Sequence, residues 1–180
     1  MRVALAPLCV SALVFVLLSA PAAPQGRPTA ASSTTVSVDP ALRGAIDIHV
    51  HAEPDSRPRS VDGVEAVRQA KAAGMRAIVL KNHFAPTAQA AYLVRQIVPG
   101  IEVYAGFSLD RPVGGINVAA VEQANIFTGN TLRIVWMPTF DSENNVKYAK
   151  SKEPYVSVSK NGRLLPEVIE VLRAYYRGRR

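Results

Sequence analysis

A regular alternation of short apolar runs with amphipathic segments constrains the fold of this 180-residue chain more than any other feature. The runs are centred near Ile48, Ile78, Tyr104 and Val135, at intervals of 30, 26 and 31 residues. Parallel strands need a crossover of a dozen or more residues between them, usually a helix, and these intervals are long enough for one. The pattern therefore predicts an α/β domain of consecutive βα units.

The segments between the runs predict helices. Apolar residues recur at helical spacing over Val61–Ala73, behind Ser60 as a candidate N-cap. Further helices are predicted over Ala88–Val98, with Thr87 as its N-cap, and over Val118–Phe127. Helices of this kind cover a parallel sheet, whose strands then read as nearly continuous apolar runs.

The alternation changes after Asp141. Asn161-Gly162 separates two short β-type runs and predicts a two-residue hairpin. Pro166 is placed to begin a final helix, because proline is favoured at the first helical position. Four βα units, a hairpin and a last helix resemble half of a larger assembly, and the 140 residues of 41–180 form its predicted folded part.

The first 22 residues predict a secretory signal peptide. Arg2 precedes an apolar stretch, Val3–Leu18, that is shorter than the ~20 residues of a bilayer span, and Ala20-Pro21-Ala22 suits a signal peptidase. The chain is therefore expected to be periplasmic or secreted, with no membrane association after cleavage; the alternative is an uncleaved N-terminal membrane anchor. Residues 23–40, rich in Ala, Ser, Thr and Pro, predict a flexible linker.

Composition excludes several classes of function. A single cysteine, Cys9, permits neither an internal disulfide nor a thiolate-based metal cluster. The sequence contains no phosphate-binding glycine motif and no Gly-x-Ser-x-Gly elbow, which argues against nucleotide cofactors and serine hydrolases. The net charge of +7 comes from residues that are dispersed except in Arg177–Arg180, which is typical of a solvated tail, so no nucleic-acid partner is predicted.

The sharpest candidate site is on the first predicted strand. Side chains of a strand alternate between faces, so Asp47, His49 and His51 share one face. Two imidazoles at i and i+2 can converge on one metal ion, with Asp47 hydrogen-bonded to a ring N–H. The alternative is a pair of ordinary hydrogen-bonded histidines in a half-buried strand.

Further candidates follow the other strands. The carboxyl ends of parallel strands form the site in α/β folds, which places His83 and Asp141 on the same rim as the histidine pair. Asp141 is a candidate metal ligand or proton-transfer group, or else an ordinary loop aspartate. Lys81 would ligate a metal only if carbamylated, and a lysine there more often pairs with a carboxylate or an anionic substrate.

The stretch Asp47-Ile48-His49-Val50-His51 resembles the first strand of the amidohydrolase superfamily of metal-dependent hydrolases. Within that superfamily, the region around Lys81-Asn82-His83 is similar to an uncharacterised amidohydrolase-like family, and Val135–Thr139 agrees with it. The resemblance extends from about Ala45 to Tyr176.

The resemblance implies a (β/α)₈ TIM-barrel-like fold, here incomplete, with one or two divalent metals, often zinc, at its carboxyl rim. It implies that a metal-activated water attacks an amide, ester or related bond of a small-molecule substrate. His49 and His51 would be metal ligands, with His83 a further one. The superfamily's ligands on later strands have no counterparts here, since no histidine follows His83.

A complete barrel typically takes about 250 residues. The short chain has three explanations: a truncated reading frame, a half-barrel completed by self-association through its open edges, or a degenerate non-catalytic protein. We expect the first, the N-terminal part of a metal-dependent hydrolase, with Asp141 as the candidate catalytic base. The alternative function is an exported, non-catalytic metal- or ligand-binding domain.

Overall fold

A computed structural model describes residues 38–178. The predicted signal peptide, Cys9 and linker residues 23–37 lie outside the described residues. Within the described range, no helix combines the length and apolar character that a membrane crossing requires. The helices and strands are β1 (Ile46–His51), α1 (Gly63–Ala72), β2 (Ala77–Lys81), α2 (Ala88–Ile97), β3 (Glu102–Ser108), α3 (Val118–Asn125), β4 (Leu132–Trp136), α4 (Glu143–Tyr148), β5 (Ser159–Lys160), β6 (Arg163–Leu164) and α5 (Pro166–Arg177).

The predicted α/β fold is confirmed. Strands β1 to β4 form one parallel sheet in chain order, β1-β2-β3-β4, and helices alternate with them. In the part of the chain that is described, β1 and β4 are edge strands, and the sheet does not close into a barrel. Ile46 and Ile48 on β1 are accordingly 49% and 57% exposed.

The helices pack on one face of the sheet. Alternate residues of β2 and β3, including Ile78, Leu80 and Val103, form a core with α1 and α2. Farther along the same face, Phe107 and Leu132 form a second core with α3 and α5. Because successive side chains of a strand point to opposite faces, the odd-numbered residues of β1 and β2 lie on the face that these helices leave uncovered. His49 and His51 are on this face.

The helix ends differ in part from those predicted. Asp62, not Ser60, caps α1, because its carboxylate accepts a hydrogen bond from the Glu65 N–H at 2.8 Å. Thr87 does occupy the N-cap position of α2, but its side chain makes no capping bond.

The Thr87 hydroxyl instead ties two strands together. It lies 2.8 Å from the Leu80 carbonyl oxygen and 2.9 Å from that of Gly106, and it accepts from the Gly106 N–H at 3.0 Å. All of these groups are buried, so the threonine satisfies backbone polar groups at the ends of β2 and β3.

The hairpin and the final helix that were predicted after Asp141 are both present. The antiparallel pair β5–β6 turns at Asn161-Gly162, and Pro166 is the first residue of α5. The six-residue helix α4 was not predicted, because it is too short to contain a helical apolar period. Ser142 caps it by accepting from the Asn145 N–H at 3.3 Å.

Gly106 allows the side chain of Trp136 to lie directly against strand β3. A Cβ atom at Gly106 would be 2.3 Å from Trp136 Cζ3 and 2.6 Å from the Ile134 carbonyl oxygen. The second of these atoms belongs to the backbone of the adjacent strand and cannot rotate away. The close approach therefore requires glycine at this position.

We expect Gly106→Ala to lower the free energy of unfolding by about 1–3 kcal/mol, because the added methyl group overlaps both Trp136 and β4. Gly63→Ala is the matched control, since a Cβ there meets its nearest atoms at 3.7 Å. Urea unfolding of both variants provides the measurement. Equal stability of the two variants would contradict the proposed packing of Trp136.

Candidate functional site

His49 and His51 lie together at the carboxyl end of β1, as predicted. Their Nε2 atoms are 3.2 Å apart and their ring centroids 5.1 Å apart. The β1–β2 register shifts between Asp47 and Val50, where β1 contains one extra residue relative to β2. Bulges of this kind re-aim side chains, and here the planes of the two rings are inclined by 56°.

Asp47 does not bond to either imidazole ring. Its Oδ1 accepts a hydrogen bond from the main-chain N–H of His49 at 2.9 Å. The expectation that Asp47 orients a ring N–H is therefore wrong: the carboxylate satisfies a backbone group at the bulge instead. The second ring nitrogen of His51, Nδ1, is buried and has no hydrogen-bond partner among the described residues.

Lys81 is the third member of the cluster. Its Nζ lies 3.2 Å from His49 Nε2 and 4.6 Å from the centroid of the Trp136 ring, which also lies 5.8 Å from the His49 ring. The side chain is buried, and burial lowers the pKa of the Lys81 ammonium, while Asp110 acts in the opposite direction. Both the lysine and the tryptophan thus belong to the site, although no role was predicted for Trp136.

His83 joins the cluster from the loop after β2. Its ring stacks on that of His51, with centroids 4.6 Å apart and planes inclined by 21°. Thr139, after β4, lies with Oγ1 2.7 Å from His83 Nδ1. His83 therefore lies beside the histidine pair, at the edge of the sheet where its position was predicted.

A buried aspartate fixes the tautomer of His83. Asp110, which is fully buried, accepts hydrogen bonds from the Thr139 N–H and from the Thr139 hydroxyl, each at 2.7 Å. The hydroxyl has a single proton, which it donates to the carboxylate, so it must accept from His83. His83 then carries its proton on Nδ1, and Nε2 has the free lone pair.

Asp110 and Thr139 were missed by sequence reasoning. Both follow strands of the sheet, Asp110 after β3 and Thr139 after β4, so the position rule that selected His83 also applies to them. The sequence does not show that Asp110 and Thr139 are bonded to each other, because 29 residues separate them along the chain.

Burial and neighbouring positive charges lower the pKa values of the histidines and so favour their neutral form. Burial, then the positive charge of Arg59 and the neighbouring His83, His49 and Lys81, lower the pKa of His51 to about 4. Burial followed by Lys81 likewise lowers the pKa of His49 and of His83. Neutral imidazoles are the form that binds metal ions and accepts protons.

Asp141 lies apart from the histidines. Its Oδ2 accepts from the Arg111 main-chain N–H at 2.7 Å, and its buried Oδ1 has no hydrogen-bond partner in the described structure. Burial raises the pKa of this carboxyl, and the adjacent Asp110 carboxylate acts in the same direction. No hydrogen bond or ion pair joins Asp141 to the three histidines within residues 38–178.

The arrangement suits a metal ion only in part. Two nitrogen ligands 2.0–2.1 Å from a tetrahedral zinc lie about 3.3–3.4 Å apart, which is close to the 3.2 Å between the histidine Nε2 atoms. However, no group of three or more His, Cys, Asp or Glu residues in the described range is arranged to hold a metal. The spacing of the pair is thus compatible with two ligands of one ion, and His83 is adjacent but does not complete a three-residue group.

Comparison with protein-family models places the chain in a family. The sequence model of a family of unknown function, DUF6282, matches residues 44–177, which include every strand and helix described above. Neither the curated proteins nor the solved structures contain a significant match to this chain.

We expect Thr139→Val to remove the fixed tautomer of His83, because valine offers no acceptor for the Nδ1 proton and no donor to Asp110. In ¹⁵N-edited NMR at neutral pH, His83 Nδ1 should have a protonated-nitrogen shift in the wild type and an averaged shift in the variant. Thr139→Ser, which keeps the hydroxyl, should resemble the wild type. A His83 spectrum unchanged in Thr139→Val would contradict the hydrogen-bond assignment.

The low pKa of His51 predicts a loss of stability in acid. The unfolded chain takes up a proton near the ordinary pKa of 6.5, whereas the folded chain does so only near 4, so this residue lowers the free energy of unfolding as the pH falls from 6.5 to 4. Urea unfolding of metal-free protein should show a smaller decrease over this window for His51→Gln than for the wild type. Identical pH dependence would contradict the assigned environment.

Proposed function

The chain belongs to the DUF6282 family of unknown function, and we propose that it is the N-terminal part of a metal-dependent, amidohydrolase-like hydrolase. The observation that carries this proposal is the separation of 3.2 Å between the Nε2 atoms of His49 and His51. The spacing is close to that of two imidazole ligands on one tetrahedral ion, and both rings are held neutral. Imidazole donors suit zinc as well as copper, iron and nickel, and zinc is the ion that we propose.

A (β/α)₈ barrel is the proposed parent architecture. Its support is the strand order, because barrels add parallel strands in sequence whereas doubly wound sheets reverse direction at a switch point. Helices α1, α2, α3 and α5 cover one face, as the helices of a barrel cover its outside. The exposed edge residues Ile46 and Ile48 mark where further strands and helices would pack, from the same polypeptide or from a second copy of this chain.

The chain's own residues supply distinct functions in this proposal. When bound, a divalent ion would polarise the scissile carbonyl of a small amide or ester and make a water molecule more acidic. Asp141 is the proposed proton acceptor, since burial raises the pKa of its carboxyl toward the range in which carboxylates exchange protons near neutral pH. His83, whose Nδ1 is bonded to Thr139, is proposed as a further ligand through Nε2.

A second function is favoured by one specific observation. The described residues contain no group of three His, Cys, Asp or Glu arranged around an ion, and catalytic zinc sites ordinarily use three protein ligands. The alternative is therefore a non-catalytic metal- or ligand-binding domain. Export through the N-terminal signal is part of both proposals.

We expect the full chain to bind about one Zn²⁺ in isothermal titration calorimetry, and the double variant His49→Ala/His51→Ala to lose this binding while keeping its far-UV circular dichroism. Asp141→Asn is the matched variant, because its side chain is not bonded to the histidines and zinc binding should persist. Hydrolysis of a generic aryl ester or amide by the zinc-loaded chain should fall by roughly 10²-fold or more in Asp141→Asn.

The outcomes separate the candidate functions. Zinc binding that depends on the histidine pair without any turnover would favour the non-catalytic domain. A folded wild-type chain that takes up no zinc would overturn the metal site.

A further inference from the structure

A cavity of about 610 Å³ opens at the carboxyl edge of the sheet, next to the histidine cluster. Loops after all four strands contribute to it: Arg57 follows β1, Phe84 follows β2, Arg111 follows β3 and Phe140 follows β4. Its volume is in the range of pockets that bind small organic molecules. The cavity is therefore placed where α/β folds bind their ligands.

One wall of the cavity is aromatic. The rings of Phe84 and Phe140 are nearly parallel, with planes inclined by 9° and centroids 5.9 Å apart. Phe140 also meets the His83 ring edge-on at 4.3 Å. The same phenyl ring thus borders both the cavity and the histidine cluster, so a flat ligand lying on this wall is held beside His83.

Two arginine side chains add positive charge to the cavity lining. The Arg57 guanidinium lies over Phe140, with Cζ 4.1 Å from the ring centroid, and Arg111 lines the same cavity. Neither guanidinium makes an ion pair or a hydrogen bond in the described part of the chain. A guanidinium presents donors in a planar fork that matches carboxylate and phosphate oxygens.

Two acidic residues also line the cavity, and among the described residues neither carboxyl group forms an ion pair with Arg57 or Arg111. Asp141 accepts from the Arg111 main-chain N–H, and burial raises the pKa of its carboxyl, although the charge of Arg111 acts in the opposite direction. Glu153 is exposed to solvent and pairs with neither arginine. The guanidinium donors thus remain available to a ligand.

We propose that this cavity binds small molecules that combine a flat apolar group with an oxyanion, the apolar group on Phe84 and Phe140 and the oxyanion on Arg57 and Arg111. That such molecules are substrates rests on the proposed hydrolase function, whereas the binding itself does not. The site would select aromatic or similarly flat amides and esters carrying a carboxylate or phosphate.

The test is ligand binding to the full chain with metal removed by a chelator. N-benzoylglycine carries an aromatic ring and a carboxylate, phenyl phosphate carries a ring and a phosphate, and benzyl alcohol lacks the anion. Calorimetry or NMR titration should detect binding of at least one anionic probe and at least tenfold weaker binding of benzyl alcohol. The tighter of the two anions identifies which oxyanion the arginines prefer.

Variants locate the binding. Arg57→Gln and Arg111→Gln should each lower the affinity for the tighter-binding anion by roughly tenfold, because each removes one charge-assisted hydrogen bond. Arg68→Gln is the matched control, an exposed arginine on α1 outside the cavity, and should leave the affinity unchanged.

The inference is overturned if neither anion binds at millimolar concentration, if benzyl alcohol binds equally well, or if Arg57→Gln and Arg111→Gln behave like Arg68→Gln. A zinc titration of the same samples separates this failure from that of the proposed function. Zinc binding without anion binding overturns the cavity assignment alone, and anion binding without zinc binding overturns the metal site alone.

Discussion

Parallel pairing of four strands in chain order is the constraint on which the other features depend. Each crossover must return along the same face, so the helices accumulate on one side and leave the other side of the sheet for polar side chains. The carboxyl ends of the strands then share one edge. Residues as far apart in sequence as His83 and Thr139 are brought into hydrogen-bond contact there.

The polar groups at that edge depend on one another. The buried Asp110 carboxylate is compensated by two donors of Thr139, and Thr139 in turn orients His83. Lys81 is buried, has no carboxylate in ion-pair contact among residues 38–178, and has a histidine and an indole ring as neighbours. A buried polar network of this kind is stable only as a whole, because removal of one member leaves another unsatisfied.

Sequence periodicity predicted the strands, the main helices and the shared face of His49 and His51, since these follow from local spacing. It could not predict the bulge in β1, through which Asp47 bonds to a main-chain N–H instead of an imidazole. Nor could it pair Asp110 with Thr139, because their contact depends on how two loops return to the sheet. The part of the site built from a single strand was therefore predictable, and the part assembled from four strands was not.

The position of Trp136 has a practical consequence. It is the only tryptophan of the chain, and its ring lies on Gly106 within contact of Lys81 and His49. Indole emission responds to nearby charges and to collisional partners, so the intrinsic fluorescence of the folded protein originates at the edge of the histidine cluster. The molecule thus contains its own optical reporter, which follows events at this one location without any attached dye.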